Sequence, residues 1–293
     1  MPLTLLIITL VVFLMVRLSG DPTELYLPPD ASQEQREGLQ RALGLDQPLP
    51  LQYLRFLSDL VRGEFGRSIR FEQSALSLIA ERLPATIELT MAGLLLTLIL
   101  GIPLGLVAAR RSGRLVDHAI VNVCLFLQSM PSFWIGLVLI TWFGVQLGWL
   151  PTSGRGGIEH LLLPAVTVSL FLLPQVALLM RTSALDVMGE DYIRTAWAKG
   201  ISPGRVYYRH VLVNALNPVV SYLGLQVGRL LGGAVITETV FAWPGLGQLS
   251  LQAVFQRDMA VVQASVVVLA VLITFANLVA DLVNAHLDPR IRA

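Results

Sequence analysis

Residues 85–109 read ATIELTMAGLLLTLILGIPLGLVAA, and Glu88 is the one charged side chain in this stretch. An apolar run of 18 or more residues with few charges is long enough to cross the hydrocarbon core of a bilayer as a helix. The whole chain has this character, because 54% of its 293 residues are hydrophobic and 14% are charged, with a mean hydropathy of +0.67. A typical soluble domain carries about 25% charged residues. The composition therefore predicts an integral membrane protein.

Further apolar runs predict about six transmembrane helices in total and an all-α membrane protein. The predicted spans cover about residues 2–18, 85–109, 117–147, 161–180, 215–237 and 259–285. The third span is too long for one straight crossing, and Pro131 is expected to kink it because proline removes a backbone donor. The first span is short, but it has neither a basic start nor a small-residue cleavage site, so we expect a helix and not a signal peptide.

The polar segment at residues 19–82 predicts a small helical subdomain on the extracytoplasmic (periplasmic) side. Two short amphipathic helices are expected within it, at 32–43 and 50–62. An apolar stripe on the second of these helices consists of Leu51, Leu54, Leu57 and Leu60. The predicted division of the chain is a first transmembrane helix (1–18), this subdomain (19–82), a five-helix transmembrane core (83–285) with a loop at 181–212, and a tail (286–293).

Basic residues in short loops predict the orientation, because such loops are richer in Lys and Arg on the cytoplasmic side. The loops at 110–114 and 181–212 and the tail carry most of these residues, whereas the short loops on the other side hold Arg155 and Arg257. Both termini and the loop at 181–212 are therefore predicted to be cytoplasmic.

Several kinds of chemistry find no support in the sequence. The single lysine, Lys199, is followed by Gly-Ile and does not form a phosphate-binding Gly-Lys-Ser/Thr loop, so ATP hydrolysis would belong to another polypeptide. The four histidines are scattered without metal-ligand spacing, and no metal or cofactor site is expected. Cys124 is interpreted as a buried apolar residue. A net charge of +1 gives no reason to expect nucleic-acid binding.

The loop at 181–212 contains strong helix-boundary signals. A helical spacing is shared by Leu185, Met188, Tyr192 and Thr195. Gly200 follows Lys199 as a helix stop, and Ser202-Pro203 restarts a helix as its N-cap and first residue. Two short helices that meet at a glycine would form a rigid protrusion. On these grounds alone the segment is either an ordinary capped loop or a docking surface for a cytoplasmic partner.

Residues 191–200 read DYIRTAWAKG, and this segment resembles the EAA loop of bacterial ABC importer permeases. Arg194-Thr195-Ala196 stands where the family has Glu-Ala-Ala, and the match is closest to the dipeptide, oligopeptide and nickel branch. Similar matches to this branch occur at 20–22 (GDP), 43–48 (LGLDQP), 63–66 (GEFG), 82–86 (RLPAT), 130–134 (MPSFW), 210–215 (HVLVNA), 241–247 (FAWPGLG) and 287–292 (LDPRIR). These matches are distributed along nearly the whole chain.

The resemblance implies the type I ABC importer permease fold in a bacterial inner membrane, surrounded by lipid. The long segment after the first helix is similar to that of the first of two permease types. The implied partners are a second homologous permease, two ATP-binding subunits that hold ATP and Mg, and an extracytoplasmic solute-binding protein. The chain itself would then be no enzyme. Coupling to the ATP-binding subunits is implied for Asp191, Tyr192, Ile193, Arg194, Thr195, Ala196, Ala198, Lys199 and Gly200.

A second set of residues is expected in the translocation path or its gate, partly by this resemblance. The set consists of Pro131, Ser132, Phe133, Arg229, Glu238, Pro244 and Gly245. Arg229 would be costly against lipid, so we expect it either to line the path or to occupy a structural position. Glu238 is either a loop contact or a solute ligand. The resemblance leaves open whether the solute is a dipeptide, an oligopeptide, glutathione or a nickel chelate.

The chain departs from the family pattern in lacking a basic N-terminal tail, in having Glu64 where aspartate is common, and in carrying Arg229 in the fifth span.

An ion-gradient-driven secondary transporter is the alternative, but it would have buried acidic residues in several helices and inverted repeats, and neither is clear. An intramembrane enzyme is disfavoured, because no Gly-x-Ser-x-Gly sequence occurs.

Overall fold

The computed structural model describes residues 2–18, 32–42 and 44–287, which form helices joined by turns, with no β-strand among these residues. The helices are α1 (Pro2–Leu18), α2 (Gln33–Ala42), α3 (Leu49–Arg62), α4 (Ala75–Arg110), α5 (Leu115–Gln128), α6 (Ser132–Leu139), α7 (Ile158–Gly189), α8 (Asp191–Ala198), α9 (Leu212–Val240), α10 (Leu246–Phe255) and α11 (Met259–Leu287). Shorter helical pieces are a π-helical segment after α6 (Ile140–Gln146), and Pro203–Arg205 and a second π-helical segment (Val206–Val211) before α9. The predicted all-α class is confirmed.

Four helical segments of the described chain are long and apolar enough to cross a membrane. They are Ala75–Arg110, Ile158–Gly189, Pro203–Gly228 and Met259–Leu282. α5 and the helical stretch that begins with α6 count as a fifth span if this bent pair is one crossing. α1 is an apolar helix of 17 residues, at the lower limit of about 17–25 residues for a transmembrane helix. The predicted number of about six is reached when the bent pair and α1 are each counted.

The predicted kink at Pro131 is confirmed, and it is a complete break in the helix. α5 ends at Gln128, α6 begins at Ser132, and the two axes meet at 101°. Pro131 itself is extended, with φ −63° and ψ 138°. Because proline has no backbone N–H and its ring clashes with the preceding turn, α5 cannot continue through it.

The fold divides into two compact units. The first contains Met1–Pro84 and Gln248–Leu272, and the second contains Ala85–Gly247 and Ile273–Ala293. The motif at 20–22, Leu43 and the tail beyond Leu287 lie outside the described residues. The predicted side of the membrane for residues 19–82 stays a prediction.

In the first unit, the two predicted amphipathic helices are present as α2 and α3. The turn that precedes α4 is fixed by Ser68, whose hydroxyl donates to the carboxylate of Asp258 and accepts the N–H of Phe71. Asp258 also caps α11, because its Oδ1 accepts the N–H of Val261 at 3.3 Å. One buried carboxylate therefore holds both a turn and a helix start.

α4 begins at Ala75, well before the predicted start of its span at residue 85. Ser74 supplies the cap, since its Oγ accepts the N–H of Ser77 at 3.4 Å. Ala75, Leu78 and Ile79 are buried, so the first turns of this helix have an apolar face of their own. Sequence reasoning missed this extension because the polar residues around it resembled a loop.

Small residues allow α4 and α7 to approach closely in the second unit. They recur every four residues along α4, at Gly93, Thr97, Gly101 and Gly105. A Cβ added at Gly101 would lie 3.0 Å from Cγ1 of Val176, and Thr97 Oγ1 lies 3.2 Å from Oγ of Ser169. Glycine at such spacing is typical of tightly packed transmembrane helices.

α7 is longer at both ends than the predicted span of 161–180. It begins at Ile158, passes through Pro164 and Pro174, and ends at Gly189. The loop predicted at 181–212 is therefore corrected: its first nine residues are helical, and the chain first breaks at Glu190, where ψ is 147°. The buried Ala184 keeps this polar end of α7 packed, which explains why the helix continues.

A buried ion pair joins α5 to α7. Arg181 donates from Nε to Oδ1 of Asp117 at 2.6 Å and from Nη2 to Oδ2 at 2.7 Å. Oδ2 also accepts the N–H of Gly113 at 2.9 Å, and the side chain of Asp117 is 1% exposed. The pair therefore fixes the turn between α4 and α5 against the end of α7.

Candidate functional site

α8 is a short helix with well-defined ends. It starts after the extended residue Glu190 and carries Asp191 in its first turn, where a negative charge is favourable. At its other end Gly200 has φ +71°, its N–H bonds the carbonyl of Trp197 at 2.9 Å, and the N–H of Ile201 bonds the carbonyl of Ala196 at 3.3 Å. These two bonds form a Schellman motif, so the predicted glycine stop is confirmed.

The inward face of α8 is anchored in an apolar cluster. Ile193 is 1% exposed and Ala196 is 6% exposed. They belong to a cluster that includes Met180 and Ala184 of α7 together with Val206 and Val211 before α9. These buried contacts join α8 to α7 and to the segment that leads into α9.

The outward face of α8 is a polar and aromatic surface. Exposed residues on and just after this helix are Asp191, Tyr192, Arg194, Thr195, Trp197, Ala198, Lys199 and Gly200. Arg194 pairs with Asp191 at 3.2 Å, and both side chains are largely in solvent. Desolvation raises the pKa of the Tyr192 phenol, and the charge of Glu190 adds to this shift.

Three residues outside the predicted coupling set support this surface. The rings of Trp197 and Tyr207 meet edge to face at 6.2 Å, and the guanidinium of Arg110 lies over the Tyr207 ring at 5.1 Å. Trp197 could have been selected from the sequence, because it is a large aromatic residue within the matched segment. The contribution of Arg110 depends on tertiary contacts that local spacing does not reveal.

A second candidate site is the turn between α9 and α10, residues 241–247, which folds around the buried Glu238. Thr86 donates from Oγ1 to Oε1 of Glu238 at 2.6 Å and accepts the N–H of Leu246 at 2.8 Å. Glu238 is 0% exposed, and a Cβ added at Gly247 would lie 2.9 Å from its Oε2. Gly245 is similarly close to this carboxylate, which explains glycine at both positions.

Further hydrogen bonds hold the turn on its other sides. The indole N–H of Trp243 donates to the carbonyl of Ala85 at 2.8 Å, and the N–H of Gly154 donates to the carbonyl of Phe241 at 2.8 Å. Arg155 lies over the Trp243 ring at 5.9 Å and pairs with Glu88. The structure thus places Glu238 and Gly245 in a buried network, with Pro244 between its members.

A cavity of about 180 Å³ lies elsewhere in the second unit. Its polar lining consists of Ser132, Thr167, Gln226 and Thr237, and its apolar lining includes Phe171 and Leu172. Among the described side chains of the predicted path set, that of Ser132 lines this cavity, whereas those of Pro131 and Phe133 do not. The side chain of Arg229 lies outside the described part of the structure. Gln226 was not predicted as a path residue. The available signal was its polar side chain within an apolar run, between Leu223 and Arg229.

Thr86→Val should lower the free energy of unfolding by about 1–3 kcal/mol, because it removes two buried hydrogen bonds while keeping the side-chain volume. Thr86→Ser retains the hydroxyl and should cost less. Unfolding of the purified protein by denaturing detergent measures both changes. Equal stability of the valine variant and the unmodified chain would contradict the role given to Thr86.

Two family models match this chain. The description "Binding-protein-dependent transport system inner membrane component" covers residues 101–293, and the corresponding N-terminal family covers residues 2–90. The solved structures of the inward-facing MetNI methionine ABC transporter provide a fold comparison. One of them covers 72% of this chain and 96% of its own, with a TM-score of 0.62 and 19% identity. The likeness shows the fold of an ABC importer permease.

Curated relatives match at higher identity over almost the full length. The di/tripeptide transport system permease protein DppB of Pseudomonas aeruginosa is 39% identical over 97% of this chain and 94% of its own. The oligopeptide transport system permease protein AppB of Bacillus subtilis is 40% identical, with coverage of 98% and 95%. The glutathione transport system permease protein GsiC of Escherichia coli K12 is also 40% identical, with coverage of 99% and 95%.

Proposed function

Because this chain belongs to the family of binding-protein-dependent transport system inner membrane components and is a permease subunit of an ABC importer, we propose that its solute is a short peptide. The observation that carries this proposal is the agreement of three relatives at about 40% identity over nearly the whole chain. Their names specify di- and tripeptides, oligopeptides and glutathione, which is itself a tripeptide. A nickel chelate is not part of the proposal, and the comparisons do not support the alternative of a secondary transporter.

We further propose that a second homologous permease completes the translocation path. The cavity beside Ser132 and Gln226 measures about 180 Å³, below the roughly 300–1,000 Å³ of typical ligand pockets. Its hydroxyl and amide groups suit the polar backbone of a peptide, and a second chain would supply the remaining wall. An extracytoplasmic binding protein would deliver the peptide, and both termini would be cytoplasmic.

α8 is the proposed docking element for the ATP-binding subunits, which bind ATP and Mg. Its anchored inward face and its exposed aromatic residues favour a docking surface over an ordinary capped loop. Motion imposed on α8 would pass through Ile193 and Ala196 into the cluster shared with α7 and α9. A differential contact energy of a few kcal/mol between inward- and outward-open states is enough to shift their populations.

The solute proposal is tested by transport into proteoliposomes that contain the complete complex with its binding protein. We expect ATP-dependent accumulation of labelled di- or tripeptide and no comparable uptake of a nickel chelate. Uptake of a nickel chelate with no accumulation of labelled peptide would contradict the proposal.

The coupling proposal predicts that Ala196→Glu and Gly200→Pro reduce transport and stimulated ATP hydrolysis without preventing membrane insertion. A carboxylate at the buried position 196 must leave the apolar cluster, and this displaces α8. A loss of about 1.4 kcal/mol in coupling corresponds to a tenfold loss of transport. Gly200→Pro would disrupt the left-handed residue that ends α8.

Gly204→Glu is the matched control for the charge at position 196. Gly204 is exposed, and a Cβ added there would meet no atom within 4 Å. This variant should therefore transport normally. Normal transport and ATP hydrolysis in Ala196→Glu as well would contradict the coupling role of α8.

A further inference from the structure

α3 packs on α1 through one aromatic face. The rings of Tyr53 and Phe56 lie 5.4 Å and 5.9 Å from the ring of Phe13, measured between centroids. The Tyr53 hydroxyl lies 3.0 Å from Oγ1 of Thr9 and donates to the carbonyl of Leu6 at 3.1 Å. The two helices are therefore joined by both apolar contacts and hydrogen bonds.

These contacts fall on residues 6–13, within the apolar run of α1. α1 has no charged residue before Arg17, and large apolar side chains such as Leu10 and Leu14 are exposed along it. An apolar helix of this kind belongs in the hydrocarbon core, so α3 meets it at that level.

The opposite face of α3 is apolar and exposed. Leu51 is 52% exposed, Leu54 is 61% exposed and Val61 is 85% exposed. The stripe predicted from the sequence is therefore split, because Leu57 and Leu60 are half-buried while Leu51 and Leu54 point outward. Such a face would be unfavourable in water.

Two arginines lie along one edge of this exposed face. Arg55 and Arg62 are seven residues apart, on the same side of the helix, and both are exposed. Long basic side chains beside an apolar face are typical of helices that lie in a membrane, because the stem stays in the apolar region while the guanidinium reaches phosphate.

We propose that the outward face of α3, defined by Leu51, Leu54 and Val61, is in contact with the acyl chains of the bilayer. Arg62, in the last turn of α3, reaches the lipid phosphates from its edge, whereas the guanidinium of Arg55 lies beside Gly44. The argument for lipid, as opposed to water or another chain, is continuity: α3 is fixed to the apolar run of α1, whose own exposed apolar side chains require the same surroundings. α3 is then a membrane-embedded helix although its segment follows the polar residues 19–48.

The test places a fluorophore on single cysteines in the assembled transporter in lipid nanodiscs. Cys124 is the natural cysteine and is buried, so Cys124→Ala gives the background. Leu51→Cys and Leu54→Cys report on the proposed face, and both positions are exposed, so labelling should not disturb the fold. Leu10→Cys reports on α1, and Gln33→Cys on the exposed polar face of α2 is the aqueous control.

Lipids brominated along the acyl chain should quench the fluorophore at positions 51 and 54 as strongly as at position 10, with little effect at position 33. Iodide in the buffer should quench position 33 alone. Iodide quenching at 51 and 54 would place α3 in water and overturn the proposal. Protection from both quenchers would place another chain, such as the second permease, on this face and would overturn it equally.

Discussion

Arg181→Met is expected to lower the free energy of unfolding by about 3–5 kcal/mol, because it leaves the carboxylate of Asp117 buried without its cation. The side chain of Asp117 is 1% exposed, and Arg181 binds it through two hydrogen bonds of 2.6 and 2.7 Å. Solvent screens this pair only weakly, since the side chain of Arg181 is 25% exposed. Methionine retains much of the side-chain length, so the loss reports mainly on charge.

Detergent-induced unfolding of the purified chain, carried out as a double-mutant cycle, measures this effect. Adding Asp117→Asn to Arg181→Met should recover part of the stability, because no unpaired buried charge remains. Arg194→Met is the matched control, since its ion pair with Asp191 is largely in solvent and should contribute almost nothing to stability. Equal losses in the free energy of unfolding for Arg181→Met and Arg194→Met would mean that the buried ion pair stabilises the fold no more than the exposed one.

The features predicted correctly from the sequence are those set by local backbone chemistry. Proline at position 131 lacks the N–H that a helix needs, and the chain breaks there. Gly200 takes a left-handed conformation at the end of α8, and a helical turn begins at Pro203 as predicted, although the side chain of Ser202 makes no capping hydrogen bond. Each of these signals depends on one or two neighbouring residues, so no knowledge of the tertiary fold was required.

The features missed from the sequence depend on distant partners. Asp117 and Arg181 are 64 residues apart, and nothing in either span marks them as a pair. Glu238 was interpreted as either a loop contact or a solute ligand, and its buried partner Thr86 could not be identified because it lies 152 residues away. The helical spacing shared by Leu185, Met188, Tyr192 and Thr195 also gives no sign of the break between them, where α7 ends at Gly189 and α8 starts at Asp191.

The glycines of α4 show the same limit. Gly101 and Gly105 are visible in the sequence, but only the structure shows that they face α7. Their spacing with Gly93 indicates a packing face without identifying the helix that packs against it. The close approach matters for function as well, because α7 continues from this contact to Arg181 and to the cluster that anchors α8.

Gly105→Leu is expected to lower the free energy of unfolding by about 3 kcal/mol or more. The new side chain would clash with backbone and Cβ atoms of α7, which cannot move aside as the tip of a flexible side chain can. A Cβ at this position would lie 2.7 Å from Cβ of Met180 and 3.1 Å from the backbone nitrogen of Arg181, and closer still to the carbonyl of Ala177. The helices must therefore separate. Detergent-induced unfolding and peptide transport by the complete complex measure the result.

Gly189→Leu is the matched control, because Gly189 ends α7 with no atom within 4 Å of an added Cβ. Leucine favours helix over glycine by up to about 1 kcal/mol, so this variant should be as stable as the unmodified chain or slightly more stable. Similar losses in the two variants would contradict the packing argument. Separation of α4 from α7 should also disturb Arg181. The double variant with Gly105→Leu and Arg181→Met should therefore lose less free energy of unfolding than the sum of the two single losses. Strict additivity would mean that the spacing of these helices and the buried ion pair are independent.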